Sequence, residues 1–412
     1  MRNRTEDKSI LRELARQYRD VAMLDRHQST IADWKKMNGL KPARPLIMID
    51  QIPWHEMNVN DELTLYCQDP LLRQLEWSMR SDLYKWRHFP ADMFFNPWLE
   101  VPKVFTCSGY GLESQVDATE SEHANPQTHT YVDQLADEDA LKKLQVPLYR
   151  FDQAATTDRQ EWVLDLIGDI MPVRMTGVAI WAAIWDRIVF WRGATPVLYD
   201  LADRPEFVHQ LMGRLMDLEM KMLDSLEEQN LLDAQLRTIH CAGTPCDELP
   251  GSDYDPEHVR ASNCWVAGAA QIFSEVSPAM HDEYEIEYLL PYYERFGLVN
   301  YGCCEPLHRK IDLIRKIKNV RSISISPWAD VRLAAEQMRG DYVMARKPSP
   351  SYVAMDRLDE QAIIQETRET LQACTANGTP CMFILKDITT VRHEPQRLTR
   401  WHDVVRATID SF

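Results

Sequence analysis

The stretch Leu298-Val-Asn-Tyr-Gly-Cys-Cys-Glu-Pro-Leu-His308 joins an apolar run to a helix start. Pro306 suits a first helical turn, where its missing N–H would be unpaired anyway. Leu307, Ile311, Leu313, Ile314 and Ile317 then repeat at helical spacing. Cys303, Cys304 and Glu305 are therefore expected in a strand-to-helix loop. In an α/β barrel such loops form the active-site face, where a thiolate can bind a soft metal or act as a nucleophile.

Working outward, short β-like runs fall at residues 173–178, 236–241, 322–326, 342–345 and 382–385, separated by helical patterns. Phe207, Leu211, Leu215, Leu218, Met222 and Leu226 make one apolar helical stripe, and Ser277-Pro278 is a helix N-cap and first-turn pair. Short apolar strands alternating with helices predict a parallel sheet covered on both faces. Adding runs at 45–50 and 104–107 gives about eight strands, the number of a (β/α)8 TIM barrel. A doubly wound open sheet is the alternative, but no G-x-G-x-x-G follows a strand. Residues 1–44 read as an N-terminal helical extension and 45–412 as the barrel. The polar segment 100–150, with a turn-like Ala-Asn-Pro-Gln at 124–127, reads as an excursion over the barrel mouth.

The chain has 412 residues, 45% of them hydrophobic, with 46 Lys+Arg against 63 Asp+Glu for a net charge of -17. That balance argues against a nucleic-acid or anionic-membrane surface. No apolar run approaches the length of a bilayer span. The opening Met-Arg-Asn-Arg-Thr-Glu-Asp-Lys leads into a polar amphipathic helix and not an export signal. The nine cysteines show no disulfide-framework spacing. Reduced thiols in the cytoplasm are expected.

Reading the predicted strand ends gives the candidate functional residues: Asp50, Trp54 and His55; His240 and Cys241; Cys303, Cys304 and Glu305; Trp328; Lys347; Asp387. Thiols, an imidazole and carboxylates could supply three or four ligands to zinc, and Trp54 and Trp328 could line an aromatic pocket. Each residue also has a bland reading. Free cysteines behave as small buried hydrophobes. Glu305 could merely favour a helix dipole, and H-C-x4-C at 240–246 is no standard zinc spacing.

From about residue 170 onward the chain resembles the uroporphyrinogen decarboxylase superfamily, and within it the cobalamin-dependent methyltransferases. The resemblance rests on Ala194-Thr-Pro-Val-Leu-Tyr-Asp-Leu-Ala-Asp-Arg-Pro-Glu-Phe-Val208, on Tyr-Gly-Cys-Cys at 301–304 where the family has H-x-C-G, and on Arg-Lys-Pro-Ser-Pro at 346–350 where it has G-N-V-D-P. The fourth feature is the final Lys386-Asp-Ile-Thr-Thr390 followed by Glu394-Pro395. The decarboxylases' substrate-gripping arginines are missing after the first strand, so porphyrinogen decarboxylation is not expected. Of the family's three zinc ligands only the first Cys is kept, as Cys303. Tyr301 replaces the His, and the distant Cys falls near Ile388 beside Asp387.

The resemblance implies methyl transfer with a corrinoid-binding partner protein. A zinc ion held by Cys303, Cys304, His240 and Asp387 is the expected metal. Glu305, His240 and Asp50 are the expected catalytic groups, with Trp54, His55, Tyr301, Trp328 and Lys347 around the substrate. Removing methyl from an ether requires a stabilised oxyanion, and the altered ligands and the tryptophans favour a methoxylated aromatic donor. The reverse transfer, to tetrahydrofolate or a thiol, and a non-catalytic tetrapyrrole-binding barrel are the alternatives. A homodimer is also compatible with the sequence.

Overall fold

The computed structural model describes residues 2–118 and 129–412; the turn expected at 124–127 lies outside them. Seven strands form one sheet: β1 (Leu46–Ile49), β2 (Ile180–Ala182), β3 (Trp265–Gly268), β4 (Leu298–Tyr301), β5 (Val320–Ile325), β6 (Val343–Arg346) and β7 (Cys381–Leu385). Every pairing is parallel, in the order β1-β7-β6-β5-β4-β3-β2. The last strand thus returns beside the first, as in a wound α/β sheet.

The sheet does not close. Among the described residues β1 and β2 remain unpaired with each other, and Leu99–Pro102 pairs with Val173–Thr176 as a separate two-stranded ladder. The free side of β1 is protected by a side chain in place of a strand. The Ile47 amide donates to Asp92 Oδ2 at 2.7 Å, and the Asp92 amide donates to the Ile47 carbonyl at 3.0 Å. An exposed strand edge otherwise invites pairing with another chain.

Three of the eight expected strands lie elsewhere, the 173–178 run being the one paired with Leu99–Pro102. The 236–241 run yields only Thr238–Ile239, which turns back antiparallel onto Ala242–Gly243. The 104–107 run is Phe105–Cys107, paired antiparallel with Tyr149–Phe151. Strands β2 and β3 were not anticipated, being only three and four residues long.

The two faces of the sheet bury different partners, as period-two alternation requires. Ile47, Ile49, Met344, Phe383 and Leu385 join the large core under the helices, with Leu211, Leu215 and Met222 of the helix Pro205–Glu228. Leu46, Met48, Val343, Ala345, Met382 and Ile384 face the other way and meet Trp34, Phe94, Cys241 and Ala242. Each fully buried Val, Leu, Ile, Met or Phe among them contributes about 1.5–3 kcal/mol through burial. Trp34 comes from the N-terminal helix Arg26–Asn38, and its indole N–H donates to the Asp92 carbonyl at 2.8 Å. Among the described residues, no helix is long and apolar enough to cross a membrane.

Candidate functional site

The C-terminal ends of the strands carry the chemistry. The ladder runs one residue past several of them: Asp50 N to Leu385 O, Lys347 N to Ile325 O, and Gly302 N to Gly268 O, at 2.7–2.9 Å. Alternation therefore persists there. Arg346 turns to the helix face and pairs with Glu366 at 2.8 Å. Its successor Lys347 turns to the opposite face, and the same step places Ser326, Lys386 and Asp50 on that face. These residues and Cys303 form a rim.

Gly302 makes the turn into the rim. Its φ is +93°, and a Cβ there would lie 2.4 Å from Leu307 Cδ1, so only glycine fits. Cys303 follows and is buried. Its sulfur accepts from Lys386 Nζ at 2.9 Å and lies 3.4 Å from Cys304 Sγ, which in turn lies 3.4 Å from Asp387 Oδ2. The Cys304 thiol, the neighbouring His240 ring and the Lys386 ammonium hold the Cys303 thiol well below the usual range, against the opposing effect of burial. Cys304 moves the other way, because its hydrogen stabilises its neighbour's thiolate. Lys386 is held charged: burial opposes this, but the Cys303 thiolate outweighs it. An ammonium has three donors. Lys386 gives one to Cys303 and lies 3.3 Å from Asp387 as an ion pair.

Glu305 clamps this loop. It is wholly buried, and its two oxygens accept from the backbone amides of Cys303 at 2.9 Å and Ala270 at 3.2 Å. Burial pushes its carboxyl up to about 7, those hydrogen bonds working against the rise. It positions the cysteines and is sealed from the opening. The helix expected after Pro306 is broken into the short turns Leu307–Arg309 and Ile311–Ile314.

His240 and Cys241 reach the rim as the tip of the small hairpin, with φ of +39° and +65°. A two-residue hairpin turn of this kind demands positive φ at both positions, which suits Asn-Gly far better than His-Cys. The resulting strain, of order 1–3 kcal/mol per residue, is the sort found at functional sites. The His240 ring stands edge-on to Trp181 at 3.8 Å, and its Nε2 has no protein partner. Burial lowers its pKa, so the imidazole is neutral near pH 7. Asp50 approaches the Cys241 thiol, which burial pushes up to about 12.

Several expected residues are placed differently. Tyr301 lies on the helix face, fully buried, where its hydroxyl bonds His281 Nε2 at 2.7 Å and Glu285 Oε2 at 2.9 Å. It is one alternation step from the rim and cannot touch a substrate there. Trp54 packs edge-on against Trp77 and Tyr84. His55 is exposed, 3.7 Å from Glu56. Trp328 is 78% exposed beyond the end of β5. Of the expected zinc ligands, Cys303, Cys304 and Asp387 lie in contact and His240 beside them, but among the described residues no three His, Cys, Asp or Glu side chains are arranged to hold a metal ion. Lys386 already supplies the positive charge between Cys303 and Asp387. As arranged, with Lys386 among them, these donors do not form a metal site.

Lys386 and Ser326 were missed. Both were legible from alternation: the last strand ends Leu385-Lys386-Asp387, and Lys386, not Asp387, has the inward parity.

No family model and no curated protein matches the chain. Among solved structures, it is similar to a methyltransferase from Methanosarcina mazei, with a TM-score of 0.50 over 93% of this chain and 98% of that one. The two share 10% sequence identity, so the likeness is one of fold. A shared fold hosts many chemistries.

Proposed function

We propose that this protein is a methyltransferase that removes the methyl group of a methoxylated aromatic compound and passes it to a corrinoid carried by a separate protein. The observation that carries the reading is the Lys386 ammonium, fixed by Cys303 and Asp387 at the C-terminal rim. A second support is a fold that matches a methyltransferase over nearly the whole of both chains.

The chemistry follows from the leaving group. Breaking a methyl ether leaves an oxyanion, which needs a positive or hydrogen-bonding partner in a dry site. Lys386 provides one, and because its proton is held tightly it stabilises the anion without neutralising it. A phenolate, whose conjugate acid has a pKa of about 10, leaves under those terms; a far more basic alkoxide does not. This favours an aryl ether. At about 4 Å and an effective dielectric constant of about 20, an ammonium alone stabilises an oxyanion by roughly 4 kcal/mol, a gain that the adjoining Cys303 thiolate and Asp387 carboxylate reduce. The corrinoid, when docked, supplies the nucleophile that takes the methyl group. Trp328 and Trp181, 78% and 38% exposed, give the partner an apolar surface beside the rim.

The test is to follow the visible spectrum of cob(I)alamin with the purified protein under anaerobic conditions. Donors are methoxylated aromatics, methanol and methylamines. Conversion to methylcob(III)alamin with an aryl ether, reduced about 100-fold or more in Lys386→Met, is the expected result. Conversion with methanol or methylamines alone, or with no donor, overturns the reading.

A further inference from the structure

We infer that Lys347 anchors a carboxylate group of the methyl donor, making this rim a site for a small aromatic acid. The inference rests on the methyltransferase reading for the donor's identity, but the anchor itself is argued from the rim. Lys347 is 2% exposed, and its Nζ has no hydrogen-bond partner in the protein. Around it the Ser326 and Ser324 hydroxyls, both fully buried, and the His240 Nε2 are also without partners. Ser326, Ser324 and Lys347 sit on adjacent strands and share one face, since Ser324 pairs with Ala345 and Lys347 continues that ladder.

Desolvated polar groups are ordinarily hydrogen-bonded, and a buried charge is ordinarily paired. An unpaired ammonium beside unpaired hydroxyls is a set of donors without an acceptor. Nearby charges identify the missing acceptor as a monoanion. The groups facing Lys347 are Cys241, Lys386, Cys303 and Asp50. The thiolate and carboxylates already answer Lys386, so a dianion such as a phosphate would meet Cys303 and Asp50 with too little positive charge. A carboxylate brings one charge and two acceptor oxygens, matching one ammonium and a hydroxyl. Lys347 and Lys386 stand on neighbouring strands and share a face, Lys386 two residues beyond the position opposite Lys347, so their backbones are roughly 8 Å apart. One aromatic ring can therefore direct its carboxylate to Lys347 and its ether oxygen to Lys386.

The test is equilibrium binding of 4-methoxybenzoate, unsubstituted benzoate and the neutral 4-methoxytoluene to the purified protein and to Lys347→Met. Wild type is expected to bind both acids at least 10-fold more tightly than the neutral compound. In Lys347→Met that preference disappears while the neutral compound binds as before. Lys347→Met also has a higher Tm than wild type, because it removes a buried unpaired charge, so loss of binding cannot be put down to unfolding. Equal wild-type affinity for acid and neutral compound, binding of neither acid, or an undiminished preference in Lys347→Met overturns the anchor. Benzoate has no methyl to give. Its binding with no methyl transfer from 4-methoxybenzoate would sustain the anchor and sink the proposed function; transfer with no acid preference would do the reverse.

Discussion

Cys303 and Glu305 titrate in opposite directions within one loop, and the consequences can be measured. The Cys303 thiol is depressed by Cys304, His240 and Lys386. Its thiolate should therefore persist, by ultraviolet absorbance, well below the ordinary cysteine range of about 8.5. Lys386→Met should move that titration upward. A depressed thiol stabilises the fold fully above about pH 8.5, and that contribution falls as pH drops toward the folded value. Glu305, raised to about 7 by burial, acts the other way. Its proton is held more tightly in the fold, so its contribution is complete below about pH 4.3 and is lost as pH rises through 7. Glu305→Gln leaves one acceptor for the two backbone donors of Cys303 and Ala270. It should cost about 1–3 kcal/mol in denaturant unfolding and flatten that decline. The cysteine pair was legible in sequence from its place between an apolar run and a proline. The role of Glu305 was not, because its partners are backbone amides, one of them 35 residues away.

Among elements, the β4 turn governs whether the thiolate is presented at all. Gly302→Ala must place a Cβ at positive φ and 2.4 Å from Leu307. The expected loss is about 2–3 kcal/mol, combining backbone strain and overpacking. The thiolate absorbance should fall with it even where the far-ultraviolet circular dichroism is unchanged; an unaltered thiolate titration would show that the turn does not position Cys303. The hairpin Thr238–Ile239 and Ala242–Gly243 illustrates the limit of pattern reading. Its residues 236–241 have the composition of a barrel strand. What makes them fill the interior beside Trp34 is a tertiary contact, since a Cβ on Gly243 would lie 2.6 Å from the Trp34 ring. Tyr301 shows the converse. It was placed in the site because its loop was right, and alternation along Leu298–Tyr301 put it on the other face.

Taken whole, the molecule is a wound parallel sheet with a seam, and the seam depends on Asp92. That carboxylate accepts from the Ile47 amide and from Arg44 and Arg406, each at 2.6–2.7 Å. Those partners outweigh its burial and lower its pKa. Asp92→Ala removes the acceptor of the Ile47 amide and takes the carboxylate from Arg406, while Arg44 keeps Asp33. It should lower stability by about 1–3 kcal/mol and promote association through the exposed edge, read by denaturant midpoint and by light scattering. An Asp92→Ala protein with unchanged stability would mean that the seam is held by the apolar contacts of Trp34 and Phe94 instead. Strand-helix alternation made the parallel α/β class readable. Closure was not readable, because it depends on which elements occupy the gap between β1 and β2, and Asp92 with its partners Arg44 and Arg406 spans more than 300 residues of chain.

The exposed indole of Trp328 has an optical consequence. Five of the 12 tryptophans are shielded: Trp34, Trp185, Trp191, Trp265 and Trp401 are buried. Their emission should be blue-shifted and indifferent to the solvent. Trp328, 78% exposed at the lip of the rim, should contribute the red edge of the spectrum and, with the 38% exposed Trp181, most of its iodide quenching. Because a corrinoid absorbs across that emission band, docking of its carrier would darken Trp328 selectively, which makes the intact protein its own gauge of encounter with that partner.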